Sequence, residues 1–135
     1  MKMIEEMLSV KTHRHCEMID ITSQVQAAVA NSGLEAGMAI VSCPHTTAAI
    51  TINENADPDV PHDVLLTLEE LVPTLRKGYR HCEGNSDAHV KSSMFGCTET
   101  VTFSNQYLQL GTWQGIFFCE FDGPRSRKVH IRIMS

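Results

Sequence analysis

The sequence predicts an α+β protein with mixed or antiparallel β-sheets and a few helices, folded as a single compact domain over residues 1–135. Two observations predict this class. The last third of the chain carries strand patterns almost throughout, and the helix and strand patterns before it do not alternate as a regular βαβ series. The 135 residues, 42% of them apolar, suffice for one core and fall within the usual size of one domain.

The N-terminal third predicts two strands and a helix. Residues 5–12 alternate weakly in polarity and predict a strand, and residues 16–21 predict its partner in a β-hairpin. A helix should follow, because Thr22 or Ser23 can accept a hydrogen bond from a free amide of its first turn, and Gly33 is a stop signal. The face of this helix that turns toward the core should consist of Val25, Ala28 and Val29.

The middle of the chain predicts two strands and a longer helix. Residues 37–43 and 47–52 are apolar and rich in β-branched side chains, whereas residues 53–61 form a polar loop. Pro61 suits the first turn of a helix, and Pro73 limits its length. An apolar stripe at helical spacing predicts core packing for Val64, Leu65, Leu68, Leu71 and Val72.

The remainder of the chain predicts a short helix and four strands. Ser86 or Asn85 can cap a helix over residues 87–95. Residues 98–103 alternate strictly in polarity and predict a strand with one solvated face. Further strands are predicted at residues 107–110, 115–121 and 128–134, separated by Gly111, Gly123 and Pro124.

Composition argues against several classes of protein. A net charge of −5 and a pI near 5.7 argue against nucleic acid as the main partner, because phosphate contacts need a basic face. No apolar run is long enough for a membrane span, and the N-terminus lacks the apolar core of a signal peptide. An odd number of cysteines without a CxxC pair predicts reduced thiols in the cytoplasm and disfavours a cysteine zinc site. The cysteines are Cys16, Cys43, Cys82, Cys97 and Cys119.

Three polar clusters lie beside these predicted elements, at residues 44–47, 53–59 and 81–96. The third combines histidines, acids, hydroxyls and a lysine next to Gly84, and a glycine lets the backbone approach a ligand closely. The alternative for this stretch is a polar surface loop with an ordinary helix cap. We expect the three clusters to form the walls of one functional site.

The histidines of these clusters suit a divalent metal, either zinc or magnesium. Neutral imidazole is a common ligand, and three protein ligands leave a position for water or substrate. His45, His81 and His89 are the predicted ligands, although their spacing matches no compact motif such as HExxH. Solvated histidines are the alternative. Reserve ligands are Asp57, His62 and Asp63.

Phosphate binding and acid–base chemistry are also compatible with the clusters. Residues 84–86 would place free amides at the positive end of a helix. Lys91 and the basic turn of residues 125–128 could add charge, and an arginine can hold phosphate through two parallel bonds. A solvated basic turn is the alternative for residues 125–128. The carboxylates that share clusters with histidines, and so suit proton transfer, are Glu54, Asp57, Glu83 and Asp87.

Nucleophilic catalysis is less favoured. Cys82 follows His81 directly, but neighbours in sequence often point apart, and no GxSxG elbow is present.

Four motifs resemble those of the YjbQ-like family, described as secondary thiamine-phosphate synthases. The resemblance extends over nearly the whole chain. The motifs are His45-Thr-Thr-Ala-Ala-Ile50, Ile52-Asn-Glu-Asn-Ala-Asp57, Glu83-Gly-Asn-Ser-Asp-Ala-His89, and Leu110-Gly-Thr-Trp-Gln-Gly115 followed by Phe121-Asp-Gly-Pro-Arg125.

The resemblance implies a small α+β domain that forms a homotrimer, with a small phosphorylated metabolite as its partner. It also implies a transferase that weakly joins a pyrimidine diphosphate to a thiazole phosphate and releases diphosphate. Under this hypothesis Glu54, Asp87 and His89 are catalytic. The substrate would contact Asn53, Asp57, Asn85, Lys91, Trp113, Gln114 and Arg125, with Trp113 stacking on a flat heterocycle unless it belongs to the core.

Two other functions compete with the transferase. One is a metal-dependent hydrolase of another small metabolite, and the other is a trimer that binds a metabolite without turnover. In a trimer the site could lie between chains, so that His45 and His89 need not meet within one chain.

Overall fold

The computed structural model describes residues 1–135 and contains eight strands and three helices. In chain order they are β1 (Met3–Lys11), β2 (Glu17–Asp20), α1 (Thr22–Asn31), β3 (Gly37–Ser42), β4 (Ala48–Glu54), α2 (Asp59–Leu71), α3 (Ser86–Phe95), β5 (Thr98–Ser104), β6 (Tyr107–Leu108), β7 (Gln114–Glu120) and β8 (Ser126–Met134). None of the helices is long and apolar enough to cross a lipid bilayer.

The strands form two antiparallel sheets. The large sheet has five strands in the order β1-β8-β3-β5-β6, and the small sheet has three strands in the order β2-β7-β4. β8 pairs with β1 along its whole length, from Met3 opposite Met134 to Lys11 opposite Ser126. The predicted α+β class with antiparallel sheets is therefore confirmed.

The main hydrophobic core is built from the facing sides of the two sheets and from α1. The large sheet contributes Val41 and Phe103, and the small sheet contributes Ile50 and Phe118. The predicted buried face of α1 is confirmed, since Val25, Ala28 and Val29 are all buried.

A second, smaller core covers the other face of the small sheet. Here Phe117 and Cys119 of β7 pack with Leu68 of α2 and Ala88 of α3. The small sheet is therefore buried on both faces. This double burial explains why residues 115–119 are apolar without alternation, whereas the half-buried β5 and β8 alternate.

The predicted β-hairpin at the N-terminus is wrong. β1 pairs with β8 in the large sheet, whereas β2 pairs with β7 in the small sheet. Residues 12–16 carry the chain from one sheet to the other. Local polarity patterns report which face of a strand is buried but not which distant strand becomes its partner.

The prediction that the whole apolar stripe of α2 is core is wrong in part. Leu68 and Val72 are buried, Val64 and Leu65 are half-buried, and Leu71 is 63% exposed. A cleft runs between α2 and the small sheet, so the helix covers the sheet along only part of its length.

The predicted side-chain caps are not formed. α1 follows Ile21 and α3 follows Asn85, and neither side chain makes a capping bond. The Thr22 amide instead donates to Asp20 Oδ1 at 2.9 Å. The side chain of Asn85 contacts a residue of a different element, and this contact is part of the candidate site.

Candidate functional site

A buried ion pair lies where β7 ends and β8 begins. Glu120 and Arg127 are 0% and 3% exposed, and Arg127 donates to Glu120 Oε1 through Nε at 2.8 Å and to Oε2 through its terminal nitrogen. The same guanidinium donates to Thr47 Oγ1 at 2.8 Å. The bidentate geometry and the threonine partner offset the cost of burying two charges.

The carboxylate of Glu120 is held in its charged form. Burial alone would raise the pKa of Glu120, but hydrogen bonds from Arg127, from the Asp122 amide and from the Thr12 hydroxyl lower this pKa below its usual value, as does the charge of Arg127. The ion pair is therefore intact at neutral pH.

Asp122 joins the third and fourth sequence motifs. Its Oδ2 accepts hydrogen bonds from Asn85 Nδ2 at 2.8 Å and from the terminal guanidinium nitrogen of Arg125 at 2.9 Å. Arg125 Nε also donates to the Asp122 backbone carbonyl at 3.0 Å. Two residues predicted to bind substrate, Asn85 and Arg125, are thus brought together by a carboxylate that the sequence prediction did not select.

Thr12 connects the backbone of Arg125 to the buried ion pair. Its hydroxyl donates to Glu120 Oε1 at 2.8 Å and accepts from the Arg125 amide at 2.8 Å, while the Asp122 amide donates to Glu120 Oε2 at 3.0 Å. We call the whole assembly the Asp122 network. Its members are Thr12, Thr47, Asn85, Glu120, Asp122, Arg125 and Arg127.

The two ends of the Asp122 network differ in solvent access. The Glu120–Arg127 pair is inaccessible, whereas the side chain of Arg125 is 49% exposed. Asn85 Oδ1 is buried and has no hydrogen-bond partner in the protein. The network therefore exposes the guanidinium of Arg125 to solvent while buried hydrogen bonds hold the rest of the network in place.

His45 lies beside this network as a neutral imidazole. Its Nε2 lies 2.9 Å from the Lys128 amide nitrogen and 3.2 Å from the Lys128 carbonyl oxygen, so this ring atom is engaged by the backbone. Burial, and then the charge of Arg127, lowers the pKa of His45 below its usual value. Only Nδ1 is left to contact a ligand.

His81 and His89 lie together. Their rings are perpendicular with centroids 5.2 Å apart, and His81 Nε2 lies 3.5 Å from Glu83. No group of three His, Cys, Asp or Glu side chains in the chain is arranged to hold a metal ion. The predicted ligand set of three histidines is therefore not assembled within one chain, and a metal held between chains stays a prediction.

The reserve ligands have other contacts. His62 Nδ1 lies 2.9 Å from Asp63 Oδ1, and both residues are exposed. Asp57 Oδ1 accepts the Asp59 amide at the start of α2, at 2.9 Å. They do not complete a metal site.

Asp87 and Lys91 form a second buried ion pair, one turn apart on α3. Lys91 Nζ lies 3.4 Å from Asp87 Oδ2, and both side chains are at least 96% buried. The Thr74 hydroxyl also donates to Asp87 Oδ2, at 3.2 Å. Because Asp87 is enclosed, its carboxylate can position Lys91 but has no open path to substrate in this arrangement.

The remaining predicted residues lie at the opposite end of the small sheet. We call them the Glu54 cluster: Asn53, Glu54, Asp57, Trp113 and Gln114. Glu54 pairs with Gln114 at one end of the β4–β7 ladder, and Ala48 pairs with Glu120 at the other. The two pairs are six residue steps apart along the strands, or about 20 Å at the usual rise per residue.

The Glu54 cluster is open to solvent. Trp113 is 62% exposed and so does not belong to the core. Its carbonyl accepts the Asn55 amide at 3.0 Å, and Gln114 Oε1 accepts the Gly111 amide at 2.8 Å. One chain therefore holds two separate groups of predicted residues.

Sequence reasoning missed Thr12, Glu120 and Asp122, and it considered Arg127 only as part of a basic turn and not as the partner of Glu120. Thr12 and Glu120 are 108 residues apart, so no local spacing could relate them. Glu120 nevertheless leaves a signal, because it is a lone carboxylate within the apolar run of residues 116–121. A buried acid needs a partner, and the nearest basic residues in the chain are Arg125 and Arg127.

Fold and site together define the class: a small α+β protein of two antiparallel sheets, with a buried carboxylate–guanidinium network at one end of the small sheet. The family model for UPF0047 protein YjbQ-like matches residues 6–135. The chain belongs to this family.

Relatives match over nearly the full length of the chain. UPF0047 protein YugU of Bacillus subtilis is 53% identical over 127 residues, which cover 94% of this chain and 96% of the relative. UPF0047 protein MJ1081 of Methanocaldococcus jannaschii is 49% identical over 125 residues, covering 93% and 90%.

Solved structures share the fold. A Clostridium acetobutylicum protein, described as an uncharacterized conserved protein of the YjbQ/UPF0047 family, superposes with a TM-score of 0.93 at 53% identity, over 96% of this chain and 99% of that one. A Sulfolobus solfataricus protein, described as YbjQ-like and of unknown function, gives a TM-score of 0.93 at 32% identity, over 98% and 96%.

Proposed function

We propose that this protein is a cytoplasmic transferase of the thiamine-phosphate synthase type, acting on small phosphorylated metabolites. It joins a pyrimidine diphosphate to a thiazole phosphate and releases diphosphate. The observation that carries the proposal is the half-exposed guanidinium of Arg125, which is oriented by its ion pair with Asp122. A fixed arginine suits bidentate phosphate binding.

The chemistry requires a group that stabilises the leaving diphosphate. The bond from carbon to the diphosphate oxygen breaks, the oxygen takes the electron pair, and a new bond forms from the thiazole nitrogen to that carbon. Negative charge therefore grows on the diphosphate. A preorganised donor such as Arg125 lowers the barrier because it is already oriented by Asp122 and by the Thr12 hydroxyl.

The other catalytic roles remain part of the proposal. His89, close to His81 and one turn inside α3, is the candidate for proton transfer. Glu54 and Trp113 would serve the same reaction only if they come from a neighbouring chain, because within one chain the β4–β7 ladder puts about 20 Å between the Glu54 and Glu120 ends of the small sheet. We therefore propose a homotrimer in which the Glu54 cluster of one chain faces the Asp122 network of another.

The test is an assay in which purified protein receives both substrates. Thiamine phosphate and released diphosphate are both measured over time. Arg125→Met should lower the rate by about 100-fold, the usual effect of losing one preorganised donor to a developing anion. His89→Ala should also lower it strongly. Arg76→Met is the matched control, because the Arg76 side chain is exposed in the connector before α3 and makes no hydrogen bond; only its backbone carbonyl accepts one, from the Tyr79 amide.

Two results would contradict the proposal. One is a wild-type protein that forms no thiamine phosphate from the two substrates. The other is an unchanged rate in both Arg125→Met and His89→Ala. Metal analysis of protein purified without chelator tests the predicted divalent ion separately, since the assay does not depend on knowing the metal.

A further inference from the structure

A cleft of about 720 Å³ lies between α2 and the small sheet. Its apolar wall consists of side chains from both sides of the cleft. They are Leu65 and Leu68 of α2, Met18 of β2, Phe117 of β7, and Phe121, which directly follows β7. This volume lies in the range that holds small organic ligands. The half-buried stripe of α2 is therefore one wall of a cavity.

The cleft contains one buried cation, Lys91. Its side chain is 4% exposed, and its ammonium has a single partner in the protein, Asp87 Oδ2, at the long distance of 3.4 Å. An ammonium carries three donors, so two of them have no protein acceptor. Burying an under-bonded charge costs free energy unless a ligand completes its bonds.

Asp87 adds a second unsatisfied atom to the same pair. Its Oδ2 is shared between Lys91 and Thr74, and its Oδ1 is buried without any partner. A pair maintained for stability alone would have both oxygens bonded. Incomplete bonding on both partners favours a binding function for the Asp87–Lys91 pair.

The acidic residues of the cleft indicate how a ligand would be oriented. Asp20 and Glu69 line it and are exposed, and Glu17 is half-buried, whereas Lys91 is buried. Arg14 also lines the cleft and is exposed. Lys91 is therefore the buried positive charge of the cleft, whereas its exposed part carries charges of both signs. Water screens the charge of Arg14 more than that of Lys91, so an anionic group is attracted most strongly to the deep end.

We propose that this cleft binds a small amphipathic anion, with its single phosphate or carboxylate on Lys91 and its apolar body between α2 and β7. The inference rests on the proposed function in one respect, that the ligand is a small anionic metabolite. It goes further by locating the apolar part of that ligand against Leu65 and Phe117, about whose role the reaction itself says nothing.

Two fluorescent probes test the proposal without any turnover. 1-Anilinonaphthalene-8-sulfonate carries an apolar body and one anionic group, and N-phenyl-1-naphthylamine has the same body without the sulfonate. Both should bind the wild-type protein. Lys91→Met should weaken binding of the sulfonate about tenfold or more, as expected for a lost charge contact, and leave affinity for the neutral probe unchanged.

Matched variants on α2 test the position of the ligand. Leu65→Trp fills the cleft and should weaken binding of both probes, whereas Leu71→Trp is the control, since Leu71 is 63% exposed on the same helix and does not line the cleft. If Lys91→Met fails to fold, the double variant Asp87→Asn, Lys91→Met replaces it, because no unpaired charge then stays buried.

Phenyl phosphate and benzoate then compete with the sulfonate probe. Stronger displacement by phenyl phosphate assigns a phosphate group to the natural ligand, and stronger displacement by benzoate assigns a carboxylate. The proposal is overturned by absence of probe binding, by equal loss of both probes in the Lys91 variant, by an unaffected Leu65→Trp, or by displacement with neither competitor. Probe binding in a protein without thiamine-phosphate formation would support the cleft and reject the proposed reaction alone.

Discussion

At the scale of single residues, the Glu120–Arg127 pair is the most enclosed charged contact of the site, and its two members depend on each other. Glu120→Gln leaves Arg127 buried without a counter-charge. We expect a loss of about 3–5 kcal/mol in the free energy of unfolding at pH 7, the usual cost of breaking a buried pair. Urea unfolding measures it, and the double variant Glu120→Gln, Arg127→Met should lose less.

The same pair predicts how this loss depends on pH. The pKa of Glu120 is lowered in the folded protein, so its stabilising contribution is complete above the unfolded pKa of about 4.3 and is lost as pH falls through the lower folded value. The difference in stability between wild type and Glu120→Gln should therefore shrink below about pH 4. A difference that stays constant down to pH 3 would contradict this assignment.

Membership of the site could be predicted from the sequence for residues with a local signal. It could not be predicted for residues whose role depends on partners far away in the chain. Asn85 and Arg125 were predicted from a helix start and a basic turn, and both belong to the Asp122 network. Thr12 was not predicted, because a threonine in a strand pattern carries no mark of a partner 108 residues away. Long-range hydrogen bonds are fixed by the fold and not by spacing.

At the scale of elements, the turn between β7 and β8 depends on the close approach of Gly123. A Cβ on Gly123 would lie 2.3 Å from the Arg14 carbonyl oxygen and 2.9 Å from Thr12 Oγ1. Only a glycine lets residues 12–16, which connect the two sheets, lie against this turn. This turn also sets the positions of Asp122 and Arg125.

Gly123→Ala should therefore lower the free energy of unfolding by about 1–3 kcal/mol, as overpacking usually does, and should disturb the Asp122 network. Gly111→Ala is the control, since its Cβ would meet only the flexible Gln114 side chain, at 3.3 Å. Thermal unfolding compares the two variants. Equal melting temperatures for both would show that the chain relaxes around Gly123 without cost.

Most elements were predictable because their signals are local. The alternating pattern of β5 and the apolar face of α1 both follow from burial on one side. The order of strands in the sheets was not predictable, as the wrong hairpin of β1 and β2 illustrates. The partial exposure of the α2 stripe was also missed, because the same periodicity arises whether a helix faces a core or a cleft.

At the scale of the whole molecule, the separation between the Glu54 cluster and the Asp122 network decides how a site can be completed. If the two groups meet between chains of the proposed trimer, Glu54→Ala and Arg125→Met should each lower the activity strongly alone, by about 100-fold for Arg125→Met. Mixed trimers formed by co-expression should recover about a quarter of wild-type activity, the fraction of interfaces that combine two intact halves in a closed ring.

The control for this experiment mixes two variants of the same half. Asn85→Ala and Arg125→Met both alter the Asp122 network, so no interface between them can be intact and no activity should return. Recovery in neither mixture would place the working site within one chain. Sedimentation of the wild-type protein gives the number of chains in the assembly.

The double burial of the small sheet also has a consequence for how the protein can change by mutation. β7 has a paired neighbour on each edge and packed side chains on each face, so it acts as a stiff spacer between the two groups of polar residues. Substitutions about 20 Å apart on this spacer should therefore have additive effects on the free energy of unfolding. Each end of β7 can then accept a substitution without changing what a substitution at the other end costs in stability.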